Sequence, residues 1–238
     1  MQKGWVKLPF LLLHLVIWGT ASVQSSDQIK WTEEKVGYYA VKADQAASQK
    51  HWSKAIEYGE HMLRGSSFLY KEDDIEYLNR LKTLNRYYDK AGKLGEVADR
   101  VQKAYELSYA TLGPRHHISE LSRLLYYKLL IAEKNYRTAI PLVQENIKNL
   151  SLSKDDAFQR LHYLEQLFSL YGLTGQLEEE AQTILRFLAL DRQLVASPLE
   201  ENLPIIITLA KNYCQRKKIA LFQELMQTYG LEYECETK

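Results

Sequence analysis

Apolar residues in this chain recur three and four positions apart, in stripes that stop and restart at a fixed interval. One stripe comprises Leu81, Leu84, Tyr88 and Ala91; another Leu164, Leu167, Phe168 and Tyr171; a third Ile206, Leu209, Ala210 and Tyr213. That spacing places each set on one face of a helix. After a short break a second stripe follows: Val101, Ala104 and Tyr105, then Val143 and Ile147, then Ile184, Phe187 and Leu188. The chain thus reads as pairs of amphipathic helices joined by tight turns.

The break itself repeats. A small or polar residue is followed after one position by a bulky apolar one, and three residues later by another apolar or small one. The pattern appears at Lys50, Trp52 and Ala55; at Gly92, Leu94 and Val97; and at Lys134, Tyr136 and Ala139. It returns at Gly175, Leu177 and Glu180 with Ala181, and less clearly at Lys217, Ile219 and Phe222. The bulky members stand 42, 42, 41 and 42 residues apart. A fixed period of this length marks stacked units. None of them buries its apolar face alone, so neighbours must share a core. The expected fold is all-α: a right-handed α-solenoid of about five helical hairpins, with the first helix of each pair lining a concave inner face.

Start signals fit this plan. Ser197, Pro198 and Glu200 form an N-cap, a first-turn proline and a capping-box acid, and Ser153 with Asp156 is a similar start. Asp73 and Asp74, and Asp155 with Asp156, suit helix starts, where acids favour the dipole. Polar breaks are expected at residues 65–67, 113–114, 151–154 and 196–198. The repeat domain is placed at residues 32–230, with a tail at 231–238.

The first residues carry a different pattern. Lys3 and Lys7 precede an apolar run at residues 8–18, and the small residues Gly19, Thr20, Ala21 and Ser22 follow. This is the order of a secretory signal peptide. It is placed at residues 1–21 with cleavage after Ala21, leaving a linker at 22–31. The other reading is a retained anchor, although about 11 apolar residues fall short of the ~20 needed to span a bilayer. The mature chain is expected in the periplasm or outside the cell, with no stable membrane anchor. Export would permit a disulfide between Cys214 and Cys235. Against it, one lies near the end of a helix and the other beyond the next helix, at opposite ends of an antiparallel hairpin.

Composition narrows the function. Only 11 Gly and 5 Pro occur in 238 residues, consistent with helices. The formal net charge is +1, and loss of Lys3 and Lys7 makes it −1. Nucleic acid is disfavoured, because phosphate binding needs a basic excess. No Gly-rich phosphate loop, nucleophile elbow or His-Glu-x-x-His is present, and no cofactor or metal is called for. His116 and His117 with Glu120 form the one tempting cluster, but adjacent histidines in a linker point apart.

The break segments AGKLGEVADRVQKAYEL and EKNYRTAIPLVQENI resemble tetratricopeptide repeats, whose small–x–aromatic–x–x–Ala core is matched at Trp52/Ala55 and Tyr136/Ala139. The longer period and the LGPRHH segment at residues 112–117 resemble the 42-residue subtype of kinesin light chains and related bacterial proteins. That resemblance implies a non-catalytic scaffold that binds a protein or peptide on its inner face. First-helix positions that face inward in this family correspond to Lys82, Arg86 and Lys90, then Leu124, Lys128 and Ile131, then His162 and Glu165, and finally Lys211. Lys82, Arg86 and Lys90 lie four apart and are expected to form one basic ridge, suited to acidic side chains or a C-terminal carboxylate. A peptide-sensing regulator and an enzyme with a site in the inner groove are the rival functions.

Overall fold

The computed structural model describes residues 30–150 and 156–235, and those residues contain ten α-helices and no strand. The helices are α1 (Glu33–Ser48), α2 (Trp52–Leu69), α3 (Ile75–Lys90), α4 (Ala98–Leu112), α5 (His117–Ala132), α6 (Tyr136–Asn149), α7 (Ala157–Leu173), α8 (Leu177–Leu194), α9 (Leu199–Gln215) and α10 (Ile219–Tyr229). They form five hairpins, α1–α2 through α9–α10. The repeating bulky residues are structural boundaries: Trp52, Tyr136, Leu177 and Ile219 open α2, α6, α8 and α10, while Leu94 opens a 3-10 turn that runs into α4. Among the described residues no helix is long and apolar enough to cross a membrane.

The residue two places before each of these markers is what ends the first helix. Lys50, Gly92, Lys134, Gly175 and Lys217 all have positive φ, between 56° and 73°. In every hairpin the following N–H reaches back five residues to a carbonyl. His51 bonds Ala46, Lys93 bonds Tyr88, Asn135 bonds Leu130, Gln176 bonds Tyr171 and Lys218 bonds Tyr213, at 2.8–2.9 Å. This left-handed cap satisfies the last carbonyls and reverses the chain in few residues. The period in the sequence is therefore a period of helix-ending geometry.

Packing explains the rest of the motif. Ala55 and Ala139 are fully buried and Ala181 nearly so, each on a second helix where its partner crosses closely. The core consists of two clusters that meet at α4, where Ala104 belongs to the one on the N-terminal side and Val101 to the one on the C-terminal side. First helices meet directly where α3 packs on α5, and among the described residues no pair of second helices packs as closely. At that step of the stack the first helices lie on the closer side, as expected of a concave inner face.

Three expectations are corrected here. Residues 65–67 are not a break, because α2 continues to Leu69. Gly65 serves packing instead: a Cβ there would lie 2.4 Å from the Trp31 ring and 2.6 Å from Val36. Ser197 does not cap α9; its hydroxyl donates to Asp191 at 2.6 Å and Pro198 takes the cap position. Cys214 and Cys235 are disulfide-bonded, with Cα atoms 5.5 Å apart. The chain reverses at Gly230, in the left-handed region, after α10. The 11 residues of α10 carry it about 16 Å away from the turn, and residues 231–235 in extended form carry it about as far back. Leu231, Tyr233 and Cys235 consequently pack against the core.

The proposed signal segment, Ser153 and Asp155 ahead of α7, and residues 236–238 lie outside the described residues, while Asp156 holds the N-cap position of α7. Thr32 caps α1 by accepting from the Lys35 N–H at 3.2 Å. Asp74 caps α3 by accepting from Glu76 at 2.8 Å.

Candidate functional site

Counting back from the left-handed residues brings one position of the first helix into register through the stack: Asp44, Arg86, Lys128, Ser169 and Lys211, all exposed. The turn that ends each helix fixes the phase of its face, so this row lies along the inner side. Arg86, Lys90, Leu124, Lys128, His162, Glu165 and Lys211 are all exposed, and Ile131 is half-buried.

Lys82 departs from the expectation. Only 9% of it is exposed, and its Nζ donates to Asn79 at 2.8 Å. Burial lowers its pKa, with the nearby Arg86 charge acting the same way. Lys82 thus does not complete a solvent-facing ridge with Arg86 and Lys90. Its aliphatic stem packs inside while the amine stays on a neighbour in its own helix.

Two acids that the sequence reading passed over set the charge of this face. Asp89 of α3 accepts from Lys128 of α5 at 2.7 Å. Asp44 of α1 accepts from the Tyr87 hydroxyl of α3 at 2.5 Å. Burial raises the Tyr87 pKa, and the bond to Asp44 adds to it, so the phenol stays protonated. Each acid ties a first helix to the next one. Asp44 was findable, since it occupies the 42-residue position of Arg86 and Lys128 in the first hairpin. Among the described residues, Arg86, Lys90 and Lys211 make no ion pair, and neither does Glu165. His162 shares its Nε2 with the Gln166 amide at 2.9 Å.

Beside these charges lies a concavity of about 380 Å³ between α5, α6 and α7, lined by Leu121, Leu124, His117, Glu120, Gln159 and Tyr163 among others. Leu124 is 46% exposed at its mouth. Arg123 forms part of its wall; its Nε donates to Asn146 at 2.6 Å and its guanidinium to the Pro114 carbonyl at 3.1 Å. That second bond fixes the LGPRHH linker onto α5. The two histidines do not point apart as expected: His117 opens α5, its ring centre lies 4.5 Å from that of His116, and His116 caps the helix by accepting the Ile118 N–H on Nδ1 at 3.3 Å. His117 and Glu120 reach the concavity with no second carboxylate among its lining residues. Among the described residues no three His, Cys, Asp or Glu side chains are grouped to hold a metal ion.

A larger cavity, about 620 Å³, opens between the second helices α6 and α8 over α7, and includes Lys148, Glu179 and Arg186. It occupies the furrow that a curved stack leaves between second helices. Its size follows from that curvature, and its polar lining is partly self-satisfied, since Gln144 donates to the Tyr171 hydroxyl at 2.8 Å.

No protein-family model matches the sequence, and no curated protein matches it. Solved structures do resemble the fold. The nearly identical TPR-like repeats of a kinesin light chain from Podosopora anserina superpose with a TM-score of 0.58 at 18% identity, covering 82% of this chain and 93% of that one. MamA from Desulfovibrio magneticus RS-1 gives 0.52 at 14% identity, over 84% and 96% of the two chains. BtubC from P. vanneervenii gives 0.53 at 14% identity, over 85% and 84%. Five hairpins on a 42-residue period, together with these likenesses, make this chain a helical-repeat protein with the fold of the tetratricopeptide-like solenoids.

Proposed function

We propose that the chain is an exported, non-catalytic scaffold that holds a protein or peptide partner along the face of its first helices. The observation that carries this reading is a set of exposed first-helix cations, Arg86, Lys90 and Lys211, that make no ion pair among the described residues, on a stack whose α5 also exposes Leu124 at the mouth of a concavity. Arg86 and Lys90 lie on α3, which packs against α5, the helix that carries Leu121 and Leu124. An extended or helical segment would place an apolar side chain in the concavity and acidic groups, or a terminal carboxylate, on the cations. Export is supported by the Lys3, Lys7 and residues 8–18 pattern and by the Cys214–Cys235 bond, which suits an oxidising compartment.

The test is affinity purification from the exported fraction of the source cell. The double variant Arg86→Glu with Lys90→Glu, both exposed and free of structural bonds, should lose partners that the wild type retains. An unchanged set of partners would contradict the reading.

A further inference from the structure

Among the described residues helix α1 is the first of the stack, and it has two opposite stripes. Val36, Ala43 and Ala46 are buried toward the rest of the solenoid. The other stripe holds Glu34, Tyr38, Val41, Lys42 and Gln45, and points where a preceding hairpin would lie. A stack stays soluble when its end unit turns a polar face outward. Here Tyr38 and Val41, at the middle of the stripe, are each 56% exposed.

The charges on this stripe are arranged symmetrically. Glu34 lies four residues before Tyr38 and Lys42 four residues after it, each about 6 Å along the helix axis from the ring. Lys42 sits over the Tyr38 ring, 5.7 Å from its centre, and no carboxylate pairs with it among the described residues. Glu34 has no ion pair there either. An acid–aromatic–base stripe becomes its own complement when two copies are laid antiparallel. A two-fold axis through Tyr38 sets Glu34 of each copy opposite Lys42 of the other, twice, with the two tyrosines and Val41 side chains between. Such isologous pairing is the commonest form of protein self-association, and like charges in a parallel arrangement would oppose the alternative.

We infer that the outer face of α1 is a homodimer interface, closed by two Glu34–Lys42 pairs around Tyr38. A contact built on one helix from each copy lies at the small end of specific interfaces, below about 1,200 Å², so the dimer is a weak one. This surface is separate from the face assigned to the partner.

Sedimentation equilibrium of the mature chain, at low salt and with the disulfide intact, reads the dimer directly. Glu34→Lys alone and Lys42→Glu alone should each weaken it at least tenfold, because each places like charges opposite one another twice. The double variant should restore it. An equimolar mixture of the two single variants should also restore it, as a heterodimer in which both pairs are again opposite in sign. Helix content by circular dichroism separates loss of the dimer from loss of the fold. A wild type that stays monomeric to several hundred micromolar overturns the inference. So does a dimer indifferent to the single reversals, a double variant that fails to recover, or growth beyond the dimer by head-to-tail stacking.

Discussion

The ammonium of Lys128 lies 2.7 Å from the Asp89 carboxylate, and this pair joins the first helices α5 and α3 across neighbouring hairpins. Lys128 shares its repeat position with Arg86 and Lys211, yet only Lys128 has its charge occupied within the protein. Asp89→Asn therefore releases one cation onto the inner face beside Leu124. Because the Lys128 side chain is 45% exposed, the stability lost should stay below about 1 kcal/mol. Retention of an acidic partner should rise in the same affinity purification. Weaker retention would mean that the pair itself, rather than free positive charge, shapes the face.

Three of the five hairpin turns hold a lysine where the backbone is left-handed, and Lys50, Lys134 and Lys217 are all exposed. A side chain in that conformation costs about 1–2 kcal/mol, partly offset by the chain entropy that glycine would lose. Replacing each lysine with Gly should stabilise the protein by up to about 1 kcal/mol. The converse changes, Gly92→Ala and Gly175→Ala, should cost a similar amount. Urea melts measure both directions. Destabilisation by all three glycine variants would mean the lysine side chains do more than tolerate the turn.

The disulfide closes a 21-residue separation and holds the returning tail over the last hairpin. Loop-closure entropy puts its contribution near 3 kcal/mol. In a stack that interacts only between neighbours, that loss stays local. Cys214→Ser with Cys235→Ser should raise hydrogen exchange in α10 and the tail, where Tyr233 meets Phe222 at 6.2 Å, and leave α1 to α4 unchanged. Exchange that rises uniformly along the chain would show a single cooperative unit instead.

Glu180 occupies the repeat position that is Ala55 and Ala139 in other hairpins. It is buried against Gly172, and its carboxylate accepts from Asn212 at 2.6 Å. Burial raises its pKa, and the Asn212 bond offsets part of that rise. A folded pKa above the unfolded value means the folded chain binds the extra proton between the two. Stability from this group is therefore complete below the ordinary glutamate pKa and falls as pH climbs through the raised one. Glu180→Gln keeps the acceptor for Asn212 and carries no charge. Its melting temperature should exceed that of the wild type at pH 7, and the gap should close near pH ~4. A gap that widens on acidification would contradict the assigned cause.

Much of the fold was legible because the turn is written in chemistry that admits few residues. A left-handed residue, then a bulky helix opener, then a small crossing residue are local demands, and their 42-residue recurrence identifies the stack. Close packing was less legible. Gly65 reads as a breaker, and only the positions of Trp31 and Val36 reveal that its missing side chain is what α2 needs. The disulfide was misjudged because a hairpin alone separates Cys214 from Cys235; the left-handed Gly230 that sends the tail back was the overlooked signal. On the first helices, periodicity puts Arg86, Lys128 and Lys211 at one repeat position, and all three are exposed. It gave no sign that Lys82 would be covered, since that depends on how closely α3 and α5 approach.

Site-specific photo-crosslinking in the source cell tests the assignment of the inner face most directly. A photoreactive residue at Leu124, at the mouth of the concavity on α5, should form a discrete adduct with a partner, and Arg86→Glu with Lys90→Glu in the same chain should abolish it. The same probe at Leu185, exposed on the second helix α8, should form none. An adduct from Leu185 and not from Leu124, or one at Leu124 that survives the charge reversal, would contradict a partner held along the first helices.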